Sequence, residues 1–182
     1  MPVTERELWL LNFYRNSELH GALLMGRLAR TLPESSLLLN ATKHCATEAR
    51  HAALLSEAIV AVGGKLDPGI TPVQEHYSAS GGIPKALVDL LVLSEILEHR
   101  VLTTYRAHLA RPNLDPTVRK TIAGILEEME EEHGEEHAGW IDHALHELPK
   151  ETVHAAEARW HKVDDDVTSD LARTLEERFG KS

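Results

Sequence analysis

Four stretches of this chain repeat apolar residues every three or four positions, and each repeat is broken near its middle by a glutamate. That period is one helix face turned toward a core. The first face carries Leu11, Tyr14, Glu18, Gly21, Met25 and Leu28; the second carries Leu37, Ala41, His44, Glu48, His51, Leu55, Ala58 and Val62. Leu87, Leu91, Ser94, Glu98, Val101 and Tyr105 form the third, and Ile122, Leu126, Glu130, His133, His137, Trp140 and Ala144 the fourth. A lone glutamate in an apolar interior costs several kcal/mol or takes up a proton. Four at one level would repel one another as well. Two divalent cations would balance four carboxylates, with neutral imidazoles completing their shells.

Punctuation sets the lengths. Thr4 with Glu7 three residues later reads as a capping box, opening a helix that runs to about Arg30, ahead of Pro33. Ser35 and Ser36 are candidate caps for a second helix that stops at Gly63-Gly64. Residues 63–83 hold five glycines and two prolines without a helical period and read as a connection. Pro84 suits the first turn of a third helix ending near Ala110, and Asp115-Pro116 opens a fourth that reaches about Leu148. Lys150 to Ser182 reads as one or two shorter polar helices, broken around Asp164-Asp165-Asp166. Two hairpins with a longer middle link predict an all-α chain: one domain over 1–182, with a four-helix bundle over 4–148 and a helical tail over 150–182.

The hairpins check one another. Glu18 and Glu48 are 30 residues apart, and Glu98 and Glu130 are 32, so both pairs sit at similar depth. Glu95 is 35 from Glu130, about one turn out of level, and stays the alternative to Glu98. In Glu48-x-x-His51 and Glu130-x-x-His133, residues three apart project side by side from a helix and offer an oxygen and a nitrogen together. His137, one turn beyond His133, stays an alternative ligand.

This set resembles the ferritin-like di-iron carboxylate superfamily, in which two helices each give a Glu and two others each give Glu-x-x-His. Glu48-Ala-Arg-His51-Ala, running on to Gly63-Gly64-Lys-Leu-Asp-Pro, looks like the second helix of bacterioferritins. Glu130-Glu-Glu-His133 looks like the acidic fourth helix of the superfamily, which includes rubrerythrins and small di-iron hydroxylases. The resemblance covers residues 5–148. It implies a ferritin-like antiparallel bundle with one long crossover. It also implies two Fe ions per chain, with Zn or Mn as isolated, on Glu18, Glu48, His51, Glu98, Glu130 and His133. Glu48 and Glu130 would bridge, and Glu18 and Glu98 would be terminal. Many relatives carry an Asp where this chain has Thr47 and Met129. A single cysteine, Cys45, excludes the iron–thiolate module of rubrerythrins.

The expected activity is that of a non-haem oxidase or hydroxylase acting on O2 or peroxide, with an electron-donor protein as partner. A ferroxidase or iron-storage protein is the alternative, and a metal-binding bundle without turnover is a third. A net charge of −10, without a basic run, argues against nucleic acid or anionic membranes as partners. With one cysteine, no signal peptide and no stretch of ~20 apolar residues, a cytoplasmic protein is expected, and the polar tail and few aromatic anchors point to a monomer or small homo-oligomer. Of the seven glutamates in 127–136 most must face solvent; His44 reads as a packed histidine with a third ligand as the alternative, Cys45 as a small hydrophobe, and Tyr14 and Tyr105 as core, with a hydrogen bond to a metal ligand or a redox role as the alternative. His143, His146, His154 and His161 read as surface residues.

Overall fold

The computed structural model describes residues 3–30, 32, 34–133, 141 and 144–180, with the side chains of Glu132 and His133 outside the description. Its long elements are α1 (Glu5–Leu28), α2 (Ser35–Ala61), α3 (Val73–Gly81), α4 (Leu87–Leu109), α5 (Pro116–His133) and α6 (Lys150–Phe179). There is no strand among the described residues, and no described helix is long and apolar enough to cross a membrane.

Local signals explain most boundaries. The Thr4 hydroxyl accepts from the Glu7 amide at 3.1 Å, half of the expected capping box. The Glu7 side chain does not return to Thr4; it is buried against His108 and Arg111. Helix α2 starts at Ser35, yet neither serine caps it: the N-cap is Glu34, without a side-chain bond. Gly63 ends the helix with φ +80°, and the Gly64 amide returns to the Ile59 carbonyl at 2.8 Å. A Cβ at Gly64 would fall 2.9 Å from that carbonyl, so the turn needs glycine. Pro116 takes the first position of α5, and Asp115 accepts from the Thr117 amide at 2.8 Å. Pro84 lies outside α4, which begins at Leu87.

Two segments depart from expectation. The 63–83 connection contains α3, whose Val73 and Tyr77 are buried. The tail is one 30-residue helix, unbroken at its three aspartates. Asp164 is only 5 % exposed. It accepts from Tyr77 on α3 and from Arg100 on α4, the Arg100 Nε lying 3.0 Å away. Trp160, fully buried, donates to Asp89 on α4 at 3.2 Å. A buried carboxylate met by a tyrosine and an arginine is compensated, so the helix continues through it.

Contacts give the helix directions. Gly21 faces Glu48, Arg15 bonds Ser56, and Gly26 faces Cys45, so α1 and α2 are antiparallel. Glu18 meets Tyr105 and Tyr14 meets His108, so α4 also runs against α1. Helix α5 packs on α2 and α4, and α6 packs across α3 and α4.

Replacing Asp164 tests how α6 is held. Asp164→Ala leaves the Tyr77 hydroxyl and the Arg100 guanidinium without their acceptor. We expect a cost of about 2–4 kcal/mol, read as a fall of roughly 5–15 °C in melting temperature. Asp165→Ala, on the exposed side, should change little; equal effects at the two positions would contradict this role for Asp164.

Candidate metal centre

Two apolar clusters fill the interior. One gathers Met25, Leu28, Leu37, Ala41, Leu91, Leu97 and Trp160. The other gathers Leu11, Tyr14, Leu55, Ile59, Tyr105, Ile122 and Met129. Along α1, α2 and α4 the residues between these clusters are Glu18, then His44, Glu48 and His51, then Glu98. A polar layer thus separates two dry ones.

Within that layer Glu18, 6 % exposed, accepts from the Tyr105 hydroxyl at 2.6 Å. Its other oxygen lies 3.4 Å from His51 Nδ1. The opposite ring nitrogen, Nε2, is 3.0 Å from Glu128 on α5, and Arg50 pairs with that same carboxylate. Burial alone would lower the pKa of His51, but the bonds to Glu18 and Glu128 outweigh it and raise the value. Burial would raise that of Glu128, and Arg50 and His51 hold it below the usual carboxylate range.

Glu48 lies beside His44, whose Nε2 is 3.1 Å from Glu48 Oε1 and 3.7 Å from Glu98 Oε1. Gly21 makes the room: a Cβ there would stand 2.2 Å from a Glu48 carboxylate oxygen. Burial, opposed by the His44 hydrogen bond and reinforced by the charges of Glu18 and Glu98, pushes the Glu48 carboxyl up to about 7. All three glutamates border a cavity of about 280 Å³ whose wall is mostly apolar.

Of the six expected ligands, the structure brings together Glu18, Glu48, His51 and Glu98. It does not bring Glu130. Helix α5 buries Ile122, Leu126 and Met129, stepping by three where the sequence reading stepped by four. Glu130 is therefore turned outward and half exposed, paired with Arg106 at 2.7 Å. The His133 side chain and all of His137 lie outside the described residues, as do Trp140 and His143. Glu95 is exposed, so Glu98 is the α4 glutamate facing the cavity. Sequence reasoning put His44 on the inward face four residues before Glu48 but read it first as a packed histidine; the structure places it between Glu48 and Glu98. It missed Glu128, hidden in a run of similar residues.

The donor types suit hard divalent ions: carboxylate oxygens from three helices and two imidazoles, one oriented by an outer carboxylate as metal-bound histidines commonly are. The side chains are turned to one another instead. Among the described residues no group of three or more histidine, cysteine, aspartate or glutamate side chains is arranged to hold a metal ion. Comparison with protein-family models and with curated proteins finds no match to this chain.

Glu48 gives a pH test. Its folded pKa of about 7 lies above the ordinary 4.5, so its contribution to stability is fully present below 4.5 and is lost as pH rises through 7. In metal-free protein, Glu48→Gln and wild type should melt at similar temperatures near pH 5. Above pH 7 the variant should be higher by up to about 10 °C, from a penalty of at most ~3 kcal/mol. A difference that does not grow with pH would contradict a strained Glu48.

Proposed function

We propose that the chain is a ferritin-like bundle, with one long crossover between α2 and α4, that holds iron in its carboxylate layer. Its activity on this reading is oxidation or hydroxylation driven by O2 or peroxide. One observation carries the reading: Glu18, Glu48 and Glu98 converge from three helices on one partly open, mostly apolar space, with the histidines His44 and His51 set among them. Three carboxylates gathered in a mostly apolar space are costly, and a cation that joins them relieves that cost.

Glu18, Glu48 and Glu98 would hold the iron, with His44 and His51 as nitrogen donors. Bound iron would supply the electrons that reduce O2 or peroxide. The protein's own part is positioning. Glu128 fixes the His51 ring through Nε2 and leaves Nδ1 toward Glu18. The Tyr105 hydroxyl occupies one Glu18 oxygen and leaves the other for the layer. Gly21 lets the Glu48 carboxylate lie flat against α1. The apolar wall limits the water that could compete.

Anaerobic titration with Fe(II), followed by metal analysis and exposure to air, tests this. About one ferrous ion per chain, and at most two, should bind, because three carboxylates balance one ion fully and a second only in part, and air should give a lasting near-ultraviolet ferric absorbance. Glu48→Ala and Glu98→Ala should each lower the count, while Glu130→Ala should leave it unchanged because Glu130 is outside the layer. No more than trace iron on wild type would end the reading.

A further inference from the structure

The half of α6 beyond Asp164 is not explained by the carboxylate layer, yet it has a face with a purpose. Val167, Thr168, Leu171 and Leu175 fall on one side of the helix and line the same cavity that Glu48 and Glu98 border. The helix is fixed on both sides of this stretch. Asp164 bonds Tyr77 and Arg100 before it. Phe179 packs edge-on against Trp9 of α1 after it, with centroids 6.2 Å apart. Val167 is packed in the core while Leu171 and Leu175 stay partly exposed, so this helix, pinned at two points, forms one wall of a partly open chamber.

The chamber has a polar spot of its own. Ser94 on α4 lines it, is 4 % exposed, and its hydroxyl has no hydrogen-bond partner among the described residues. Buried hydroxyls normally find one, and a helical serine usually bonds the carbonyl four residues back. We propose that this chamber binds a small apolar alcohol: a molecule with an aliphatic or aromatic body and one uncharged hydroxyl. The body lies under Leu171 and Leu175, and the hydroxyl meets Ser94 and the carboxylate layer. The volume of about 280 Å³ is a little under twice the ~150 Å³ apolar cavity that takes benzene, which sets the size at roughly ten to twelve non-hydrogen atoms. The carboxylates accept a hydrogen bond from an alcohol and repel an anionic end. The inference does not need iron, since chamber and serine are both properties of the polypeptide.

Calorimetry on the full chain with a chelator present tests it, using 1-decanol and decanoate. One decanol should bind per chain, and decanoate should bind at least about tenfold more weakly. Leu171→Trp, which fills the chamber, should weaken decanol by tenfold or more. Ser94→Ala should weaken it by about three- to tenfold without lowering the melting temperature, because the hydroxyl it removes has no partner in the free protein. No decanol binding to wild type, or decanoate binding as tightly as decanol, overturns the proposal without relying on any variant. Undiminished binding to Leu171→Trp would place decanol elsewhere and overturn it too. Iron is counted separately, so a chain that binds decanol but no iron retains this inference and loses the iron reading, and the reverse result does the opposite.

Discussion

Three carboxylates lie where the period of the helices demands apolar side chains, and the surrounding structure is arranged around that burden. Glu18, Glu48 and Glu98 cannot be hydrated as surface glutamates are, and two of them raise the pKa of the third. The neighbours each relieve part of the cost. Tyr105 donates to Glu18, His44 stands between Glu48 and Glu98, and Gly21 removes the Cβ that would collide with Glu48. Buried polar groups are tolerated when such partners meet them. The apolar clusters on either side supply the folding free energy that lets it persist.

The same economy appears twice more, in completed form. Glu7, buried in the first turn of α1, is met by His108 at 2.6 Å and Arg111 at 2.7 Å, and Tyr14 completes the set from the far side of the His108 ring. Asp164 is met by Tyr77 and Arg100. In both, burial alone would raise the pKa, but it is outweighed so that the value falls, by His108 and then Arg111 at Glu7 and by Arg100 and Tyr77 at Asp164. At Glu48 burial, with the charges of Glu18 and Glu98, outweighs the His44 hydrogen bond, and its pKa rises instead. That contrast between structural carboxylates and the central layer is the physical basis for reading the layer as a cation site.

Much of this was legible in the residues. The all-α class, the antiparallel first hairpin and the places of Glu18, Glu48, His51 and Glu98 follow from steps of three and four and from Gly63-Gly64 and Asp115-Pro116. Other features were hidden for identifiable reasons. Glu130 was misplaced because a run of glutamates erases the contrast that fixes a helix's rotation; Met129, buried and set among them, was the clue. The tail looked broken because three aspartates in a row resemble a turn, and nothing local shows that Asp164 has partners 64 and 87 residues away. Helix α3 was masked by the glycines around it, although Val73 and Tyr77 are spaced as one face.

Anomalous diffraction at the iron edge, from crystals grown with Fe(II) under argon, tests most directly whether the buried layer is a metal centre. The account predicts iron peaks between α1, α2 and α4, within bonding distance of Glu18, Glu48 and Glu98, with Glu130 still paired to Arg106. Iron found only on the exposed glutamates of α5, or nowhere in the chain, would contradict it.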